Sequence, residues 1–172
     1  MLPAVRALIA ELDAETHATR RVLERVPADR FDWRPHPKSM SAGELAQHVA
    51  AIPGGVTRFA QADGMDVATR PDSYASCGSR ADLIATLDQS VAAARQFLEG
   101  LDEARAQATW RLTFGDKEIF AMPRLGVMRT MLFNHWYHHR GELVVYLRLL
   151  GVLVPIVYGR SADENPFARP AA

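Results

Sequence analysis

His135 and His139 stand four residues apart in the run Asn134-His135-Trp136-Tyr137-His138-His139-Arg140-Gly141-Glu142. In a helix that spacing puts both imidazoles on one face, about 6 Å apart at Cβ, where two nitrogens can grip one metal ion. With His135 at zero and about 100° per residue, Met128 and Tyr146 fall near 20°, Leu132 and Leu150 near 60°, and Met131 and Leu149 near −40°. The pair therefore lies in the middle of an apolar stripe expected to face the core, with Arg129, Arg140 and Arg148 opposite. A core-facing histidine is often satisfied by a backbone group or a carboxylate, so the pair alone leaves both readings open.

His48 shifts the balance. It lies in Ser41-Ala42-Gly43-Glu44-Leu45-Ala46-Gln47-His48, where Ser41 and Glu44 have the spacing of a capping box at a helix start. On the helix that follows, Leu45, Ile52, Val56 and Phe59 fall within about 80° of His48, which makes this histidine core-facing too. Three inward histidines on two helices form a set with an open coordination position, the arrangement of a catalytic rather than a closed structural site. Imidazole suits zinc, nickel, iron and copper alike; zinc or nickel is expected first, then iron. Three neutral ligands leave the ion its full dipositive charge, which can bring the pKa of a bound water to about 7 on zinc, or favour thiolate if a thiol takes its place.

The neighbouring residues have assignable roles. His138 lies about 60° from His135 on the stripe's edge, so a His135–His138 pair is also geometrically open; otherwise it supports a ligand or meets substrate. Glu44 and Glu142 are the candidate catalytic carboxylates, with capping as the plainer role of Glu44 and an ion pair that of Glu142. His17 falls off the stripe of its helix, and His36 sits between two prolines. A di-iron bundle would need two Glu-x-x-His motifs and a zinc protease His-Glu-x-x-His; the chain has neither. A structural site would want a fourth protein ligand, from His138 or an Asp between residues 63 and 72.

These residues resemble the DinB-like (damage-inducible) family of small four-helix-bundle metalloenzymes, which carries one histidine on its second helix and a His-x-x-x-His pair on its fourth. Trp33-Arg34-Pro35, His139-Arg140-Gly141-Glu142, and Leu150-Gly151-Val152-Leu153-Val154-Pro155 followed by Tyr158-Gly159 are similar as well, so the resemblance runs over about residues 5 to 160. It implies His48, His135 and His139 as ligands, with His139 chosen over His138. It also implies a homodimer and, because the superfamily includes enzymes using low-molecular-weight thiols, a thiol S-transferase. Metal-dependent hydrolysis is the alternative, and a non-enzymatic, stress-related metal-binding bundle is the rival class.

The elements that must position these groups read as an all-α four-helix bundle of one domain over residues 1–172, with a long crossover loop and a short β-hairpin before the last helix. Helix one runs from Leu2 to Val26, with Val5, Leu8, Leu12, Val22, Leu23 and Val26 on one face. Thr16 and Thr19 share that stripe and are expected to bond to their own helix. Helix two spans Ser41 to Gln61, kinked or interrupted at Pro53-Gly54-Gly55. Residues 63–79 form the long loop, a candidate lid, and helix three follows from Ser79 or Asp82 to near Gly100. The hairpin is Trp110 to Phe120, turning at Gly115-Asp116. Helix four starts at Pro123 and ends at Gly151, roughly 42 Å long, and the end from Asn165 reads as frayed.

Composition limits the function classes. The 172 residues hold 20 Lys plus Arg against 20 Asp plus Glu, so neither net charge nor a basic block draws the chain to nucleic acid. The single cysteine, Cys77, excludes an internal disulfide and reads as a bystander. Charges at Arg6, Glu11, Asp13 and Glu15 break the first helix as a signal sequence; a cytoplasmic protein with no membrane span is expected. Phe133, Trp136, Val144 and Leu147 lie off the last helix's stripe, an apolar surplus that a dimer interface would use.

Overall fold

The computed structural model describes residues 1–69 and 75–167. Local chemistry sets each helix start. Helix α1 (Pro3–Leu23) opens with proline, whose missing N–H would be unsatisfied there anyway. In α2 (Ala42–Phe59), the Glu44 N–H donates to Ser41 Oγ and the Ser41 N–H donates to the Glu44 carboxylate, a complete capping box. Ser79 caps α3 (Arg80–Glu99) and Asp102 caps the short α4 (Glu103–Gln107) through the same kind of side-chain acceptor. The hairpin follows as β2 (Thr109–Phe114) and β3 (Lys117–Pro123), antiparallel and turned at Gly115 with φ +56.

The last helix is one path in three parts: α5 (Arg124–Val127), a π-helical segment Met128–Asn134, and α6 (His135–Leu149). Arg124, 2% exposed, ties its start to the end of α2. Its guanidinium donates to the Ala60, Ala62 and Arg105 carbonyls and pairs with Asp63 at 2.7 Å, so it satisfies carbonyls that a helix end leaves without partners.

Side-chain pairs along the helices give their directions. Arg20–Asp88 and Arg95–Asp13 run α1 against α3. Trp136 Nε1 donates to the Val49 carbonyl at 2.8 Å and Tyr146 Oη to that of Met40 at 3.3 Å, so α6 runs against α2. The bonds Gln47–Thr86 and Gly54–Ser90 show α2 and α3 running the same way. Residues 60–79 must therefore travel back along the bundle, which is the expected long crossover.

The described first part of that connection is more ordered than a bare loop, while residues 70–74 of the expected lid lie outside the described residues. The connection opens with β1 (Gly64–Asp66), paired parallel to β2, and a 3-10 turn at Val67–Thr69. Three residues are too short for a periodic signal, and their pairing lies some 47 positions away, as Gly64 stands opposite Arg111.

Helix α2 also departs from expectation, because Pro53-Gly54-Gly55 does not interrupt it. Other helices supply what Pro53 leaves open: Trp136 Nε1 donates to the Val49 carbonyl, which an N–H at position 53 would have reached, and the Gly54 N–H donates to Ser90 Oγ at 2.7 Å. Gly54 is required for that approach, since a Cβ there would lie 2.9 Å from Ser90 Cα. Gly54→Ala should therefore destabilise by ~1–3 kcal/mol through overpacking, although alanine is the better helix former by ~1 kcal/mol. A chemical-denaturation midpoint equal to or above that of the parent would contradict this account.

The face that α6 buries is not the expected one. Trp136, Arg140, Leu143 and Leu147 are its buried residues, centred roughly 110° around the helix from His135. Leu149, placed in the core stripe from sequence, is 61% exposed, while Arg140, placed outside, is 2% exposed. Phe133, Trp136 and Leu147 are fully buried within the single chain, so they provide no surplus surface. Apolar residues surround most of this helix, so periodicity alone did not single out one face. Among the described residues, no helix is long and apolar enough to cross a membrane.

Candidate metal centre

The π-helical turn shapes the backbone beneath His135. In an α-helix the His135 N–H would donate to the Met131 carbonyl; here it reaches the Thr130 and Leu132 carbonyls instead. The Met131 carbonyl accepts from the imidazole, whose Nδ1 lies 3.2 Å away. That bond holds the neutral ring's proton on Nδ1 and puts its lone pair on Nε2, the nitrogen that faces His48. No sequence pattern announced this turn.

His139 is held by a carboxylate. Its Nδ1 donates to Glu142 Oε2 at 2.6 Å, one helical turn on, which fixes the tautomer in the same sense. The other Glu142 oxygen lies 3.3 Å from Nε2 of His138, a side chain 63% exposed. Glu142 thus spans both histidines. His138, His139 and Glu142 form a second potential ligand cluster, more open to solvent than the first.

His48 comes from α2 to meet the pair. Its Nε2 stands 3.2 Å from His135 Nε2. Ring centroids are 5.1 Å apart for His48–His135 and 4.6 Å for both His48–His139 and His135–His139. One nitrogen from each ring lies within 4.8 Å of the others, and all three residues are partly buried. They occupy the margin between α2 and α6, beside the core rather than in it.

The separation fits a shared ion. Zinc binds imidazole nitrogen at ~2.0–2.1 Å, so two nitrogens at a tetrahedral angle on one ion stand roughly 3.3 Å apart. Without a cation the same approach is an N–H···N hydrogen bond, and with neutral His135 protonated on Nδ1, His48 would be its donor. The three residues can hold a divalent metal; which one is not specified by an all-imidazole set.

The other residues singled out from sequence have different partners. Glu44 is bound into the capping box and into an ion pair with Arg34 at 2.9 Å. The Ser41 N–H and then the Arg34 guanidinium hold its carboxyl below the usual carboxylate range. It is therefore committed as an anion to the start of α2. Cys77 Sγ lies 3.8 Å from the Gly43 carbonyl, and burial pushes its thiol up, away from the thiolate form. His36 Nδ1 accepts the Lys38 N–H in a local turn, and His17 is exposed on α1. Thr16 bonds to its own helix at Leu12, whereas Thr19 Oγ1 accepts from Arg140. Asp72 and the residues from 168 onward, named above for a fourth ligand and a frayed end, lie outside the described residues.

Arg140 is the residue whose role the sequence reading missed, although it sits inside the His139-Arg140-Gly141-Glu142 motif. It donates to Thr19 Oγ1 at 3.0 Å, pairs with Glu15 at 2.6 Å and bonds to the Tyr158 hydroxyl. By these contacts it fastens the helix that carries His135 and His139 to α1 and to the segment after Gly151.

The DinB superfamily profile matches residues 11–143. Three solved structures are similar in fold. A DinB-like protein from Bacillus cereus is 18% identical, with TM-score 0.69 over 89% of this chain and 97% of its own. One from Bacillus subtilis is 18% identical, with TM-score 0.66 over 87% and 96%. A protein from Exiguobacterium sibiricum assigned to the DinB family is 24% identical, with TM-score 0.68 over 91% and 97%. No curated protein matches the chain.

Proposed function

The chain belongs to the DinB superfamily, and on that premise we propose that it is a metal-dependent enzyme that transfers or adds a low-molecular-weight thiol to a small electrophilic molecule. The observation that carries the proposal is the set His48, His135 and His139: three imidazoles from two helices, joined among the described residues by no fourth protein ligand in the same cluster. Such a set leaves a coordination position for an exogenous group.

His48, His135 and His139 would hold the ion. When bound, the metal supplies a positive centre that favours thiolate over thiol. The chain's own residues do the rest by position. The Met131 carbonyl and the Glu142 carboxylate keep the ring protons of His135 and His139 on Nδ1, and hydrogen bonding by a carboxylate raises the basicity of the opposite nitrogen. His138 braces Glu142 from the solvent side. The proposal includes a cytoplasmic location, where thiols are kept reduced.

The test follows consumption of a thiol with an electrophilic acceptor by metal-loaded protein. It is expected to depend on the thiol and to stop in His135→Ala. Turnover of an ester or amide with no thiol present would move the assignment to hydrolysis. A metal-loaded structure with a fourth protein ligand closing the site would make the centre structural.

The proposal also includes a homodimer. Val145, Leu149 and Leu153, 56%, 61% and 61% exposed, provide the apolar surface for it, in place of Phe133, Trp136 and Leu147, which are buried, with Val144 half-buried. A monomeric mass at micromolar concentration would remove this part.

A further inference from the structure

Between α2, α3 and α4 lies a groove of about 570 Å³ that none of the three histidines lines. That volume is in the range of small-molecule sites. Its floor is low because α2 contributes Gly54 and Gly55, and a Cβ on Gly55 would meet nothing within 4 Å.

The charge in this groove is one-sided. None of its lining residues is acidic, yet two are arginines, Arg58 from α2 and Arg105 from α4. Arg20, Arg95, Arg129 and Arg148 elsewhere on the surface are each paired with a carboxylate. Arg58 and Arg105 have no such partner among the described residues. Each lies instead over a phenylalanine ring, Arg58 over Phe59 at 5.8 Å and Arg105 over Phe97 at 5.4 Å. Stacking of this kind orders a guanidinium while its N–H edge stays available. In a chain with as many acidic as basic residues, this concentrates positive charge locally.

A plainer reason for Arg58 is the C-terminal dipole of α2, worth about half a negative charge. It does not explain Arg105, which comes from another helix to the same groove. Gln61, Gln89 and Gln96 add amide donors along the walls.

We infer that this groove binds a small molecule through an oxyanion, a phosphate ester or a dicarboxylate, held between Arg58 and Arg105. Planar guanidinium forks match both groups by paired N–H donors. The inference stands whether or not the histidine centre is catalytic.

The test is calorimetric titration of the metal-loaded protein, at low ionic strength, with inorganic phosphate and with succinate. Saturable binding of at least one is expected, with Kd of the order of 1 mM or tighter. Arg58→Gln and Arg105→Gln are each expected to weaken it at least ~tenfold, the loss of a charge-assisted pair, whereas His48→Ala leaves it unchanged. Tighter phosphate supports a phosphate ester and tighter succinate a dicarboxylate. Should a Gln variant fail to fold, the corresponding Lys variant, which retains charge without the fork, is expected to weaken binding by an intermediate factor. The inference is overturned if neither anion saturates, if the Gln or Lys variants bind like the parent, or if His48→Ala abolishes binding and so assigns the anion to the histidines.

Discussion

Protein prepared without chelator is expected to carry about one divalent transition metal per chain, and His48→Ala, His135→Ala and His139→Ala are each expected to lose it. Each change removes one of three nitrogens that converge across the margin between α2 and α6. Outer partners of metal ligands are worth ~10–100-fold in affinity, so removal of a ligand should exceed ~100-fold. Glu142→Gln provides the graded control: it weakens the support of His139 without removing a nitrogen, and its loss should fall within ~10–100-fold. Elemental analysis and competition with a chelator read both effects. A second readout needs no activity, because a ligand at 100 times its Kd stabilises the native state by ~2.7 kcal/mol. Added metal should raise the melting temperature of the parent and leave the alanine variants unchanged. Equal metal content in the parent and all three variants would remove the centre from these histidines.

Arg140→Met is expected to be the most damaging single change to stability. The guanidinium is 2% exposed and its partner Glu15 13%, with Thr19, Tyr158 and the Glu15 carbonyl as further acceptors. It also lies over the rings of Tyr137 and Tyr158 at 5.4 and 5.0 Å. Burial, and then the hydrogen bond to Glu15, push the Tyr158 hydroxyl up to about 12. It therefore remains protonated at neutral pH and can donate to Glu15 while accepting from Arg140. Methionine removes the donor and leaves a largely buried carboxylate behind. Breaking a buried pair in this way costs ~3–5 kcal/mol, and at ~2–4 °C per kcal/mol for a chain of this size the melting temperature should fall by about 6–20 °C. The double variant Glu15→Leu/Arg140→Met should recover much of that loss, since replacing both members by apolar groups is often neutral. A fall below ~2 °C for Arg140→Met would show that the cluster contributes little.

The positions where sequence reasoning succeeded and failed follow from the range of the forces involved. The capping box at Ser41 and Glu44 and the turn at Gly115 were legible because each is settled within four residues. The stripe assigned to α6 was not. Its buried face is Trp136, Arg140, Leu143 and Leu147, chosen by what packs against it, including the Val49 carbonyl that receives the Trp136 N–H. The continuity of α2 through Pro53 rests on Trp136 and Ser90 of other helices, and β1 rests on a strand brought to it by the fold.

The sequence by itself determined which histidines could come together, because histidine spacing on a helix is a local fact: His135 and His139 share a face, and His48 lies on a second helix. It did not determine how those rings are held. The bond from His135 to Met131 depends on a π-helical turn, and the 3.2 Å approach of His48 depends on the antiparallel docking of α2 on α6. Burial of Arg140 likewise arises where α1, α6 and the chain after Gly151 meet. Local hydrogen bonds and helical periodicity are written in neighbouring residues, whereas desolvation and ring-to-ring distance exist only after distant segments have packed, and only the tertiary structure decided those.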